Sequence, residues 1–212
     1  MCSTGAGLTP QQEAAYDRRL REAQAAKQKG NELLAGLEGE EGTPDANKRL
    51  REAAFCYRCG CMHLAEYLPA TTEEAEGSLQ DMLVNRQARA RRCPLDAGRL
   101  TKVAELYAAL QNNLTLVNSR LGRYVEAVAC ATAVLAVPGH AGDKKALLRR
   151  ASCNCALKNF AAAENDLDVL ERLFREEGVQ PDCLVPELRG QILSARREAL
   201  EKERSMCKKM FT

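Results

Sequence analysis

Five polar residues in helical sequence patterns have types and spacings that favour the binding of carboxylates. Lys27 and Asn31 are four residues apart, as are Lys145 and Arg149, and Asn113 lies between the two pairs. Residues four apart lie on one face of a helix, so each pair presents its donors to the same side. Each charge-assisted hydrogen bond to a carboxylate contributes ~1.5–3 kcal/mol. The alternative is that these residues are only solvated charges on exposed helix faces.

A second cluster has the residue types that bind zinc: Cys56, Cys59, Cys61 and His63. On a continuous helix Cys56, Cys59 and His63 share a face and Cys61 points elsewhere, although Cys93 could reach over to join them. No second cysteine pair follows at zinc-finger spacing, so we expect these residues to pack as small apolar side chains, with no metal or other cofactor. The placement of several of the ten cysteines in Ala-rich helical stretches favours a reduced, cytoplasmic protein.

The remaining motifs give no support for an enzyme or a nucleic-acid-binding protein. The chain has two histidines, His63 and His140, and neither belongs to a recognisable catalytic pattern. There is no Gly-rich phosphate loop. The basic run at 86–92 has no interleaved aromatic residues, which favours an exposed helix face over an RNA site. We therefore predict a protein that is not an enzyme, without catalytic residues and without bound nucleic acid.

The composition predicts that helices position all of these residues. The chain has 212 residues, of which 45% are apolar, 28% charged and 4% aromatic, and it has no Trp. Good helix formers dominate, whereas sandwiches and barrels rely on aromatic and β-branched residues, so we predict an all-α fold. The formal charge of +2 gives no general attraction to nucleic acid or anionic membranes. No apolar stretch approaches the length of a membrane span, and residues 1–10 lack the pattern of a secretory signal.

An internal repeat predicts how the helices are arranged. Residues 121–128 align with residues 157–164 at an offset of 36, with an aromatic residue at Tyr124 and Phe160 and an alanine three positions later. A helix, a short turn with an aromatic residue just after it, and a second helix form a hairpin unit whose stacked copies bury a continuous core. The sequence predicts three such units and a long final helix that covers the last one. A T-x-x-Q capping box from Thr9 to Gln12 predicts where the first helix begins.

These features resemble the tetratricopeptide-repeat (TPR) superfamily. The ending 197–211, a charged helix with a Met-Phe pair, resembles that of FKBP-type immunophilins and of the small tetratricopeptide repeat 9 family. The resemblance implies an all-α solenoid of three TPR helical hairpins with a long C-terminal capping helix. The predicted parts are an N-terminal tail at 1–9 and a TPR domain at 10–212, with repeat one at about 23–68 including an acidic loop at 37–47, an insertion at 69–106, repeat two at about 107–141, repeat three at about 144–177 and the capping helix at about 186–211. We also expect Met206, Met210 and Phe211 to be buried anchors of that last helix.

The resemblance also implies a function. A subset of the superfamily binds the acidic C-terminal tail, of the Glu-Glu-Val-Asp type, of heat-shock 90 or 70 chaperones through a two-carboxylate clamp. All five clamp positions match here, which implies that Lys27, Asn31 and Asn113 hold the C-terminal carboxylate of that peptide. Lys145 and Arg149 would then hold its Asp side chain and the nearby backbone. We expect a co-chaperone or adaptor, and the alternative is a scaffold subunit that binds partners through its convex face or its insertion.

Overall fold

The computed structural model describes residues 8–37, 42–68, 95–180 and 183–210, with the side chains of 208–210 outside that description. In these ranges every regular element is a helix and there is no strand, which confirms the predicted all-α class. A short 3-10 turn, Ala65–Tyr67, follows the second helix. The helices are α1 (Pro10–Leu34), α2 (Pro44–Leu64), α3 (Ala97–Arg120), α4 (Tyr124–Leu135), α5 (Lys144–Ala156), α6 (Phe160–Glu176) and α7 (Leu184–Met210).

The chain divides into two compact units, Met1–Val117 and Asn118–Thr212. The first contains α1, α2 and most of α3, and the second contains the last three residues of α3 and helices α4 to α7. Of the helices described, none combines the length and the apolarity that crossing a bilayer requires.

In the first unit, threonine caps begin both α1 and α2. The Thr9 hydroxyl accepts a hydrogen bond from the Gln12 backbone N–H, and the Gln12 side chain accepts one from the Thr9 backbone N–H, so the predicted capping box is confirmed. Thr43 caps α2 in the same way through the backbone N–H of Ala46, with Pro44 in the first turn. The two caps therefore determine where each helix begins, and α2 begins at Pro44, inside the predicted acidic loop 37–47.

The start of α3 differs from the sequence expectation. The Asp96 carboxylate accepts a hydrogen bond from the Arg99 backbone N–H at 2.9 Å, and the helix begins at Ala97. Residues 97–106, predicted as part of an insertion, are thus continuous with the helix predicted for repeat two. The rest of the predicted insertion, 69–94, lies outside the described residues, as do 1–7 of the predicted tail and 38–41 of the acidic loop.

In the second unit, one turn structure occurs twice at the predicted offset of 36. Gly122 ends α3 with φ +71°, and Lys158, 36 positions later, ends α5 with φ +63°. The backbone N–H of Arg123 donates to the carbonyl of Asn118 at 2.8 Å, and that of Asn159 donates to Asn154 at 2.8 Å. The repeat seen in the sequence is therefore also a repeat of backbone conformation and hydrogen bonding.

The core of the second unit is apolar and joins three helices. Leu147 of α5, Leu167 and Leu170 of α6, and Val185 and Ile192 of α7 are all almost completely buried in one cluster. Beyond this cluster α7 is exposed, and Met206 exposes 64% of its surface. The expectation that Met206 is a buried anchor is wrong, because the described core ends several turns before it. The side chains of the other two expected anchors, Met210 and Phe211, lie outside the described residues.

Candidate functional site

The structure brings together two of the five predicted site residues, Asn31 of α1 and Asn113 of α3. The Asn113 side-chain amide donates to Asn31 Oδ1 at 3.0 Å, across 82 positions of sequence. The hydroxyl of Tyr57, on α2, donates to the same oxygen at 2.7 Å. One amide oxygen thus joins α1, α2 and α3. We call Asn31, Tyr57 and Asn113 the amide cluster.

A glycine makes this arrangement sterically possible. Gly30 is buried against the Tyr57 ring, and a Cβ atom at position 30 would lie 2.4 Å from Tyr57 Cε1. Only a residue without a side chain allows the ring to pass this close to the α1 backbone. The Tyr57 side chain is completely buried, and its hydroxyl lies beside Asn31, the residue that follows the glycine. Gly30 therefore makes room for the Tyr57 ring, and Asn31 accepts a hydrogen bond from the Tyr57 hydroxyl.

The hydrogen bonds determine which groups of the amide cluster remain available. Asn31 Oδ1 accepts two hydrogen bonds, which occupies both of its lone pairs. The Nδ2 group of Asn31, with two N–H donors, has no recorded partner among the described residues, and the Asn31 side chain is exposed. An amide held in this orientation presents donors to solvent, which is what a carboxylate ligand requires.

Tyr57 is held in its neutral form, in which its hydroxyl donates. Burial raises the pKa of Tyr57 to about 12, because the phenolate would lose its hydration, and the hydrogen bond from Asn113 opposes this in part. Lys27, the third residue assigned to this half, is half-buried on α1 one turn before Asn31. Neither a hydrogen bond nor an ion pair of Lys27 is recorded within the described ranges. The first unit thus offers one ammonium group on the helix face that carries the fixed amide.

Lys145 and Arg149, the other two predicted site residues, lie one turn apart on α5 in the second unit. Lys145 is exposed and Arg149 is half-buried. Burial lowers the pKa of Arg149, the Arg120 guanidinium lowers it further, and the Asp143 carboxylate opposes both. The guanidinium stays protonated at neutral pH, so it is a partly desolvated cation with another cation nearby. Such a group is stabilised when an anion binds beside it.

The neighbouring arginine has a different role, which the sequence does not distinguish. Arg150 donates two hydrogen bonds to the Asp166 carboxylate, at 2.9 and 2.6 Å, and one to the Thr132 hydroxyl at 3.1 Å. Asp166 is almost fully buried. Arg150 therefore links α4, α5 and α6 within the second unit, and the position assigned to ligand binding is Arg149.

The cysteine cluster of α2 has no metal-site geometry in the part of the chain that the structure describes. Cys56 and Cys61 are buried and Cys59 is half-buried. Within the described ranges, no group of three or more His, Cys, Asp or Glu side chains could hold a metal ion. His63 instead lies 3.2 Å from the Glu22 carboxylate of α1. Cys93, the further ligand considered from the sequence, lies outside the described residues.

Sequence reasoning missed two residues of the amide cluster's environment. Neither Gly30 nor Tyr57 is among the five predicted site residues, although Tyr57 binds Asn31 and Gly30 makes room for its ring. A signal was present, because a glycine directly before a site asparagine indicates a close approach by another element. The identity of that element, a ring 27 residues later, needed the packing of α1 on α2.

Comparison with known proteins does not assign the chain to a family. No protein-family model matches the chain, and no curated protein matches it.

Proposed function

We propose that the chain is a cytoplasmic, non-enzymatic adaptor built from tetratricopeptide repeats, which binds the acidic C-terminal tail of heat-shock 90 or 70 chaperones. Lys27, Asn31 and Asn113 bind the C-terminal carboxylate. Lys145 and Arg149 bind the Asp side chain of the tail and its nearby backbone. That one peptide engages both sets of residues is what the resemblance of the sequence implies.

The observation that carries the proposal is that Asn31 Oδ1 accepts two hydrogen bonds. A solvated asparagine on a helix face has no reason to be held by a buried tyrosine and by a second asparagine 82 positions away. The hydrogen bonds turn its two N–H donors outward, on the face that also carries Lys27. An orientation fixed before the ligand arrives reduces the entropy lost on binding, which suits a flexible tail that must itself become ordered.

Two features of the second unit support the same proposal. Lys145 and Arg149 lie one turn apart on α5, so the two cations are presented on the same helix face, as an acidic ligand requires. The turn conformation repeats at the offset of 36, as a tandem helical-hairpin protein requires.

Fluorescence anisotropy with a labelled peptide ending in Met-Glu-Glu-Val-Asp tests the proposal. Wild type is expected to bind in the micromolar range, about −8 kcal/mol. Asn31→Ala, Lys145→Ala and amidation of the peptide's C-terminus should each weaken binding ten-fold or more, because each removes a hydrogen bond that involves a charged group. The result that contradicts the proposal is no binding by wild type, or equal binding of the amidated peptide.

Matched controls distinguish the site from general attraction between a basic protein and an acidic peptide. Arg18→Ala removes one positive charge, as Lys27→Ala does, but from an exposed position nine residues earlier, which lies on the opposite face of α1. Lys102→Ala removes an exposed charge from α3. Both control variants should bind the peptide like wild type. If Arg18→Ala and Lys27→Ala weaken binding equally, general electrostatics explain the affinity and the proposed site is wrong.

A further inference from the structure

A second candidate binding surface is a cleft of about 380 Å³ between α1 and α2 of the first unit. Its α1 side is formed by Lys29 and Leu33, and its α2 side includes Lys48, Arg51 and Phe55. Lys29 and Leu33 are each two residues from Asn31, which places them about 200° around the helix from it. The cleft therefore lies on a different face from the donors of the amide cluster. We call it the α1–α2 cleft.

The α1–α2 cleft has an apolar surface that the described residues of the first unit leave exposed. Phe55 exposes 65% of its surface, and the Leu33 side chain beside it is half-buried. Met62, two turns after Phe55 on the same face of α2, is 75% exposed. Single exposed apolar residues are common. A phenylalanine that lines a cleft, with a second large exposed apolar side chain on the same helix face, instead offers a contact surface.

Basic side chains surround this apolar surface. Lys29, Lys48 and Arg51 line the cleft against a single carboxylate, that of Glu52. In the described part of the chain no hydrogen bond or ion pair is recorded for these three cations. Other basic residues of the same helices do have partners, since Arg19 pairs with Glu66. Among the described residues that line it, the cleft thus has an excess of two positive charges.

We propose that the α1–α2 cleft binds an acidic segment of a partner protein that carries a bulky apolar side chain. The apolar side chain packs on Phe55 and Leu33, and flanking carboxylates pair with the three cations. A concave volume of this size accommodates one or two side chains of an extended or helical peptide, whereas a flat bilayer surface cannot enter it. The proposal needs no free C-terminus, so it is independent of the function proposed above.

The probe that tests it is a fluorescein-labelled peptide, Gly-Glu-Asp-Phe-Leu-Asp-Glu, amidated at its C-terminus. Anisotropy with wild type should show saturable binding in the micromolar range. The charge-reversing double variant Lys48→Glu/Arg51→Glu should weaken binding at least ten-fold, and Phe55→Ser should weaken it at least five-fold. The matched control Arg18→Glu/Arg21→Glu makes the same change in net charge on exposed positions of α1 outside the cleft, and it should bind like wild type. Circular dichroism should show wild-type helix content for all of these surface variants.

Four results would overturn the proposal: no saturable binding by wild type, equal binding of a peptide with Gln and Asn in place of its acids, equal loss in the control double variant, or loss of binding in Asn31→Ala. The last result would place the probe at the amide cluster. A parallel sedimentation assay with phosphatidylserine vesicles covers the competing partner. If Lys48→Glu/Arg51→Glu releases the protein from vesicles and the peptide does not bind, the surface contacts membranes and the proposal is wrong.

Discussion

In the first unit a candidate binding residue is held by neutral hydrogen bonds, whereas in the second unit the arginine beside a candidate binding residue is held by an ion pair. Asn31 is held by Tyr57 and Asn113 through hydrogen bonds between uncharged groups. In the second unit Arg150 is held by Asp166 through a pair of charge-assisted bonds. The surroundings of the two sets of candidate binding residues are therefore held in place by different physical means.

This difference predicts which kind of substitution should destabilise each unit. A neutral cluster depends on shape, because its hydrogen bonds exist only while the Tyr57 ring fits against Gly30. A buried ion pair depends on both partners, because removal of one leaves the other charge without compensation. The first half should thus be sensitive to added volume and the second to the loss of a charge.

Removal of Asp166 should have the largest effect on stability. Asp166→Ala leaves the Arg150 guanidinium partly buried without its carboxylate, and we expect the free energy of unfolding to fall by about 3 kcal/mol. Urea denaturation followed by circular dichroism measures this. Asp168→Ala is the matched control, because Asp168 is 65% exposed and pairs with Arg189 on the surface, where the loss should stay below about 1 kcal/mol. Equal losses would show that the Arg150 pair has no special structural role.

An added methyl group at position 30 should have the next largest effect. Gly30→Ala puts a Cβ atom into the Tyr57 ring, and we expect a loss of about 2 kcal/mol together with weaker binding of the acidic peptide. Gly190→Ala is the control, because nothing lies within 4 Å of a Cβ atom there and alanine is the better helix former. Gly190→Ala should stabilise the protein by up to about 1 kcal/mol in the same urea experiment. A wild-type stability for Gly30→Ala would contradict the steric argument.

The pKa of Tyr57, a residue of the first unit, predicts that the free energy of unfolding depends on pH. The folded pKa of about 12 lies above the ordinary value of 10.0, so the resulting stability is complete below pH 10 and is lost as the pH rises toward 12. Between pH 9 and pH 11 wild type should lose about 1.4 kcal/mol relative to Tyr57→Phe. Urea titrations of both proteins at the two pH values measure the difference. A difference independent of pH would show that Tyr57 ionises as easily in the folded protein as in the unfolded one.

The smallest predicted effect tests the equivalence of the two turns in the second unit. Lys158 has a positive φ of 63°, which is unfavourable for a residue with a side chain, whereas Gly122 occupies the matching position without strain. Lys158→Gly should therefore stabilise the protein by about 0.5–1 kcal/mol, and Gly122→Ala should destabilise it by about 1 kcal/mol. Thermal denaturation of both variants checks the signs. A destabilised Lys158→Gly would contradict the equivalence of the turns.

The sequence alone determined that the described elements are helices and where the first of them begins. Composition predicted an all-α chain, because Trp is absent and helix formers prevail. The capping box at Thr9 and Gln12 predicted where the first helix begins, because capping is a local property of the chain. The offset of 36 predicted the repeated turn for the same reason. From the sequence, residues 97–106 are predicted to lie in an insertion, whereas the Asp96 carboxylate caps a helix that begins at Ala97.

Only the tertiary structure decided how the candidate site is built. The spacing of Lys27 and Asn31 placed two donors on one helix face, but it said nothing of Tyr57, because contacts between helices depend on packing rather than on local pattern. Packing likewise decided that Arg150 binds the Asp166 carboxylate, a contact that the spacing of Lys145 and Arg149 does not reveal. It also left Phe55 exposed in the α1–α2 cleft, where the chain itself supplies no covering residue among those described.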